Sequence, residues 1–401
     1  EKYSFYFFFQ MSKAAAPDLQ KVLDNPNSTT IDVLKCPTIN NDFRKNDPKL
    51  MEFLLQPQHF KDILDILTKT HMRSDHKRVL TLFQTSSNTS LNRVFSESIP
   101  LTEYAFQSVS KDDDQSLYAS GTISRIFTNS LDHWPEEIYD VFHYSDTLYL
   151  ILINNFHKSS VYRTMSESLE AASEVAGEFT WFLFLALVKT QNEASNNQNQ
   201  SKTVMFDHPP RCCFLSKDIY PQLTPFPTDV HINNSIKFIK EYFELKKPNQ
   251  EDFAENVFTF IMKQINAKVD FDKIYFPLYI ELAKSLGYNS EFQQLMINLI
   301  KQAASLPYED TSCCSLSSSL ITAAISYLEI CTDHLDKQTS CSLIATLIDK
   351  RVSQFGLLSM VIIANKIVLT QPTWVQEFRN LVCKLIACAW NLYHADKPLL
   401  V

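Results

Sequence analysis

Apolar residues recur along this chain at helical spacing. After Pro48, Leu50, Phe53 and Leu54 fall at i, i+3 and i+4, and after Pro57 the set Phe60, Ile63, Leu64 and Leu67 repeats that spacing. This is the pattern of a helix with one buried face. Asp47 is placed to cap the first of these helices, because a short acceptor side chain at that position satisfies a free N–H of the first turn. Pro48 suits the position after it, where its missing N–H is not needed. Leu50, Phe53, Leu54 and Phe60 are all expected in the core. The same periodicity predicts helices over 13–25 and, more loosely, over 74–85, 90–109 and 115–131. A helix opened by Pro135 carries Ile138, Val141 and Phe142 on one side. Asp146–Phe156 is apolar almost all round and should be buried, and a further helix is expected over 160–176. Phe179–Val188, "FTWFLFLALV", is the most apolar run; at ten residues it is half of what a bilayer crossing needs, so a buried core helix near 178–190 is predicted.

The polar stretch Gln191–Lys202, "QNEASNNQNQSK", has no apolar anchors and reads as a loop or linker. Five prolines between 209 and 227 then predict an irregular connector. Helical periodicity resumes near 232, with candidates over 232–245, 249–267, 271–286, 289–303, 314–331, 337–350, 352–370 and 373–394. Short connections between such helices suit stacked repeats. The expected organisation is a disordered extension over 1–12, a helical-repeat half over 13–190, the connector over 191–230, and a second half over 231–401 continuous with the first. Met11 is the expected native start. The expected fold is all-α, an irregular HEAT/armadillo-like α-solenoid of stacked helix pairs, with a globular helical bundle as the structural alternative.

Composition narrows the function. The chain has 4 glycines in 401 residues, where an average chain carries roughly 7%. Glycine supplies phosphate-cradling loops and positive-φ turns, so a doubly wound nucleotide-binding sheet or a β-barrel is disfavoured. The net charge is −8 and no long basic patch occurs, which argues against a nucleic-acid partner. No membrane insertion is expected, and location is expected to be cytoplasmic or nuclear. The 9 cysteines include the adjacent pairs Cys212-Cys213 and Cys313-Cys314 but no C-x-x-C, so zinc templates fail and free thiols are expected. H-E-x-x-H, G-x-S-x-G, a Walker loop and G-x-G-x-x-G are all missing. "SDH" at Ser74–His76 holds triad residue types, but neighbours in sequence do not assemble a triad. "KDDD" at 111–114 lacks the spacing of a calcium loop. "KIYF" at Lys273–Phe276 fits a loose docking pattern but sits inside a helical pattern. The four N-x-[ST] sites, at Asn27, Asn88, Asn199 and Asn233, matter only in a secreted chain. No catalytic, cofactor or metal residue is assigned, and the chain is expected not to be an enzyme.

The segment Asn40–Leu67, "NNDFRKNDPKLMEFLLQPQHFKDILDIL", resembles the SAPS family, the regulatory subunits of type-6 serine/threonine protein phosphatases. Matching positions are Asp42, Lys45, Asn46, Lys49, Leu50, Phe53, Leu54, Pro57, Ile63, Leu64 and Ile66. A second block, from Ser116 to Leu169, is similar through Ala119-Ser120, Ile126, Glu136, Val141-Phe142, Leu148, Leu152 and Ser159-Ser160-Val161. The chain departs from the family at Asn154–Ser160, "NNFHKSS", where the usual turn carries a glycine. The likeness spans residues 40–170; beyond 205 only helical character matches. It implies a non-catalytic scaffold that binds a phosphatase catalytic subunit and directs its substrate choice. The chain would then need no cofactor, because the partner carries its own metals. Candidate contact residues are Arg44, Lys45, Asn46, Asp47 and Lys49 at the opening unit, and Trp134 with Glu136 and Glu137 at a helix start. Another α-solenoid adaptor, serving transport or trafficking with a different partner, remains the alternative reading.

Overall fold

The structure is a computed structural model, and it describes residues 18–68, 73–85, 88–110, 114–171, 173–194, 220–246, 250–266, 275–305 and 323–349, with isolated residues between 379 and 387. Every regular element among them is helical, as the periodicity predicts. The first stretch holds α1 (Leu19–Leu23), α2 (Thr30–Leu34), α3 (Ile39–Arg44), α4 (Pro48–Leu54), α5 (Pro57–Thr68) and α6 (Arg73–Phe83). It continues with α7 (Ser90–Glu97), α8 (Ile99–Gln107), α9 (Asp114–His133), α10 (Pro135–His143), α11 (Asp146–Asn154), α12 (Ser159–Ala171) and α13 (Ser173–Ala194). After the connector come α14 (Asp229–Glu244), α15 (Glu251–Asn266), α16 (Tyr275–Leu286) and α17 (Ser290–Ser305), then helical turns over 323–328 and a helix at Lys337–Asp349. No helix among the described residues is long and apolar enough to cross a membrane.

The chain divides into two compact units. One comprises 1–186 with 215–234, the other 187–214 with 235–401. The core of the first is a chain of aromatic rings. Phe106 lies 5.7 Å from Phe127, Phe127 5.4 Å from Phe142, Phe142 5.4 Å from Tyr149, and Tyr149 4.8 Å from Phe182. All of them are buried, and edge-to-face pairs of this kind add about 0.5–1.5 kcal/mol each beyond their area.

The opening unit is built as the sequence suggests, with one correction. Leu50, Leu54, Phe60, Ile63 and Leu64 are completely buried, but Phe53 is only half-buried and stacks on the ring of His59 at 3.7 Å. In a helix of seven residues the buried stripe is narrow. Leu50 and Leu54 fill it, and Phe53 lies on its flank, facing the first turn of α5. The periodic stretch 90–109 is broken in two by Pro100, which removes a helical N–H. Thr102 bridges that break with a hydroxyl bond to the Phe95 carbonyl, at 2.5 Å.

The α13 helix runs to Ala194, into the polar stretch. The end of the proline-rich connector and the first turns of α14 dock on the corner between α11 and α12. Thr224 donates to Asn154 Oδ1 (2.9 Å), Asn234 to the Phe156 carbonyl (2.8 Å), and His231 Nε2 lies 3.0 Å from the Asn154 carbonyl and 2.9 Å from His157 Nδ1. A carbonyl only accepts, so His231 Nε2 carries the proton and His157 Nδ1 accepts.

In the second unit, Phe292 packs 5.5 Å from Phe258 and 4.7 Å from Tyr327. Gly287 ends α16 at φ 93°, a left-handed conformation that glycine adopts freely, and its carbonyl accepts from the Tyr327 hydroxyl at 3.0 Å. The first twelve residues, Cys212-Cys213, Cys313-Cys314, Asn199, Lys111–Asp113, Lys273-Ile274 and the helix expected over 352–370 lie outside the described residues.

Candidate functional site

The sequence "RKNDPK" forms a hinge between α3 and α4, and most of its polarity has a local job. Asn46 takes φ 56°, and the Asn46 and Asp47 N–H groups return to the Phe43 and Asp42 carbonyls at 3.1 and 3.0 Å. This double bond pattern is a Schellman cap, which closes a helix through one left-handed residue. Asp47 then caps α4 by accepting from Leu50 N–H at 3.0 Å, and its other oxygen accepts from Gln20 at 3.2 Å. Lys49 pairs with Asp24 at 2.7 Å, and both are exposed. Arg44, Lys45 and Asn46 are exposed, and among the described residues their side chains make no hydrogen bond or ion pair. Of the five hinge residues, Asp47 and Lys49 are thus tied into the fold, while Arg44 and Lys45 present uncommitted cations. Because a non-glycine residue at positive φ relies on Asn's tolerance of that region, Asn46→Ala should lower stability by about 1–2 kcal/mol in urea denaturation, and Asn46→Gly should not.

The second candidate is the start of α10. Trp134 is half-buried at its N-cap, and the Arg93 guanidinium lies 5.2 Å over the indole. Arg93 pairs with Glu97 at 2.7 Å. The Trp134 Nε1–H is buried and meets no acceptor among the described residues. Glu136 and Glu137 stand in the first turn of α10, where a helix N-terminus favours negative charge. Trp and Arg at such a corner are the residue types that dominate protein–protein contacts.

One helix joins the two candidates. Asn88, just ahead of α7, donates to the Phe43 carbonyl at the hinge (2.8 Å) and accepts from Ser90 N–H (3.0 Å). Arg93 and Glu97 lie on α7, whose eight residues span about 12 Å, and Arg93 stacks on Trp134. Asn88 is therefore buried structure (4% exposed) rather than a sugar acceptor in the folded chain.

Three further constellations escape a linear reading. The first is a polar groove of about 580 Å³ between α9 and α12 that includes Gly121, Arg125, Asp132, Arg163 and Glu167 in its lining. Ser124 donates to the Ser160 carbonyl (3.0 Å), Ser160 to Ser120 (2.7 Å) and Thr128 to Glu167 (2.6 Å). Burial pushes the Glu167 carboxyl up, but the bonds from Thr128 and Arg163 outweigh it and hold the group below its ordinary 4.5. A folded value below the unfolded one means that this stabilisation is complete above pH 4.5 and is lost as the pH falls through the folded value. Acid titration followed by circular dichroism should show that loss, and Glu167→Gln should reduce its slope.

The second is a buried carboxylate. Glu178 (2% exposed) accepts from the Tyr149 hydroxyl at 2.6 Å and lies 3.3 Å from His143 Nδ1. Its signal was its position, one residue ahead of the most apolar run of the chain.

The third holds triad residue types. Thr30 Oγ1 lies 2.9 Å from His59 Nδ1 and donates to Asp62 at 2.8 Å. The hydroxyl points at the carboxylate rather than at a base, and Thr30 is 1% exposed, so no substrate reaches it. His76 of the "SDH" stretch instead contacts Thr122 of α9 at 3.1 Å. Among the described residues, no three His, Cys, Asp or Glu side chains gather as a metal site would need.

No family model, curated protein or solved structure matches the chain.

Proposed function

We propose that this chain is a non-catalytic regulatory or scaffold subunit that binds a type-6-like serine/threonine phosphatase catalytic subunit and directs its choice of substrate. Its helices would stack as irregular HEAT/armadillo-like pairs, with a partner surface made of side chains rather than a chemical centre. The observation that supports this reading is the division of labour within the resembling block. Leu50, Leu54, Phe60, Ile63 and Leu64 are buried, while Arg44, Lys45 and Asn46 project from a doubly capped hinge. A rigid corner that presents uncommitted cations loses little entropy on binding. The α7 helix ties it to the Trp134–Arg93 stack, an aromatic anchor of the kind interfaces use.

Affinity capture of the tagged chain from its native cells tests the reading. Recovery of a serine/threonine phosphatase catalytic subunit is expected, and reduced recovery with Arg44→Glu plus Lys45→Glu. Recovery of transport machinery in place of a phosphatase would favour the adaptor alternative.

A further inference from the structure

The α9–α12 groove has properties that the fold itself does not require. Gly121 sits within α9, where glycine costs about 0.5–1 kcal/mol relative to alanine. Neither of the usual reasons for a helical glycine applies. Its φ is not left-handed, and a Cβ placed there would meet nothing within 4 Å. The space it leaves open belongs to the groove.

The charges around that opening are incompletely used. Arg125, one turn beyond Gly121, is exposed and makes no hydrogen bond or ion pair among the described residues. Arg163, across the groove on α12, holds Glu167 through Nε (2.8 Å), and its two Nη groups make no further bond among the described residues. Two guanidiniums with free forks suit a phosphoryl dianion, whose charge near −2 exceeds what one arginine balances. Asp132 stands seven residues beyond Arg125 in the groove's lining, and the other carboxylate of that lining, Glu167, is the one Arg163 and Thr128 hold. A continuous polyanion such as nucleic acid would meet these carboxylates with its next phosphate. A single phosphoryl group on a polypeptide would not.

We infer that the groove between α9 and α12 binds a phosphorylated serine or threonine of an extended peptide segment, with a lysine or arginine of that segment at Asp132. The spacing follows from the helix. Seven residues of α9 rise about 10.5 Å, which an extended chain covers in about three residues. The groove therefore selects a basic residue three positions from the phosphorylated one. This inference stands on the groove alone; that such a segment belongs to a phosphatase substrate rests on the function proposed above.

The test is fluorescence polarisation of the full chain with two labelled peptides, Ala-Ala-pSer-Ala-Ala-Lys-Ala-Ala and Ala-Ala-Lys-Ala-Ala-pSer-Ala-Ala. At least one should bind ten-fold or more tightly than its unphosphorylated twin, with affinity falling as salt rises. Replacing its lysine by glutamate should weaken it. Arg125→Ala and Arg163→Ala should each lose most of the binding. Gly121→Gln should abolish binding with the melting temperature kept or raised, because the new side chain enters open space. Equal binding of the phosphorylated peptides and their twins would overturn the inference. So would wild-type affinity in Gly121→Gln, no binding of either peptide, or displacement by inorganic phosphate at the peptide's own concentration. Capture of a catalytic subunit by Gly121→Gln, unchanged from wild type, separates the two proposals. Loss of phosphatase recovery in every variant and in wild type would remove the phosphatase reading and leave the peptide site standing.

Discussion

Phe142→Ala should lower the stability of the first unit by about 3–5 kcal/mol. The Phe142 ring is completely buried and lies 6.4 Å from Phe106, 5.4 Å from Phe127 and 5.4 Å from Tyr149. It is a link between rings contributed by α8, α9 and α11, so truncation leaves a cavity that no single neighbour can fill. The loss is a large fraction of the stability of a typical domain, about 5–15 kcal/mol. Urea denaturation followed by tryptophan fluorescence should therefore show a midpoint far below wild type, or a variant that does not fold. Phe53→Ala provides the contrast. Its ring is half-buried on His59, so its truncation should cost clearly less. Similar losses for the two variants would mean that the aromatic chain is not the core.

Glu178→Ala should be the next most damaging, at about 3 kcal/mol or more, because two effects add. The void left by a buried side chain carries a cavity cost, and the Tyr149 hydroxyl, bonded to Glu178 at 2.6 Å, loses this acceptor inside the core. Glu178→Gln keeps an acceptor of the same shape and should cost less. Tyr149→Phe should also destabilise, since it removes a donor from a carboxylate that is 2% exposed. The order Ala, then Gln, read from thermal melts, checks the assignment; a neutral Glu178→Ala would refute it.

What the sequence carried and what it withheld differ in range. Capping is local, so Asp47 and Pro48 could be read directly as a helix start, and the structure places both there. Leu50, Leu54 and Phe60 were legible because their spacing alone puts them on one face. Phe53 shares that spacing, yet its burial depends on how long the helix is and which neighbour meets its flank. The preceding helix was missed because six residues are too few to display a period, although Asn46 ahead of Asp47 is a usable stop signal. Pro100 could have divided the stretch 90–109; apolar residues continuing past it masked the break.

The constellations beyond the hinge are non-local. Asn88 meets Phe43 across 45 residues, Thr128 meets Glu167 across 39, and His231 meets His157 across 74. No pattern along the chain encodes such meetings. Gly121 is the exception, a glycine inside a helical stretch of a chain with 4 glycines in all, and its lack of a packing reason emerges only from the folded geometry. The same holds for the candidate contact residues. Their exposure follows from polarity, but the hinge that fixes Arg44 and Lys45, and the helix that ties it to Trp134, belong to the fold.

The most direct measurement is binding between the purified full chain and a purified type-6 serine/threonine phosphatase catalytic subunit, by isothermal titration calorimetry. The account predicts a 1:1 complex with Kd of about 1 μM or tighter, equivalent to about 8 kcal/mol or more, weakened at least ten-fold by Arg44→Glu plus Lys45→Glu. Absence of heat and of co-elution at concentrations of about 100 μM, with a chain shown to be folded, would contradict it.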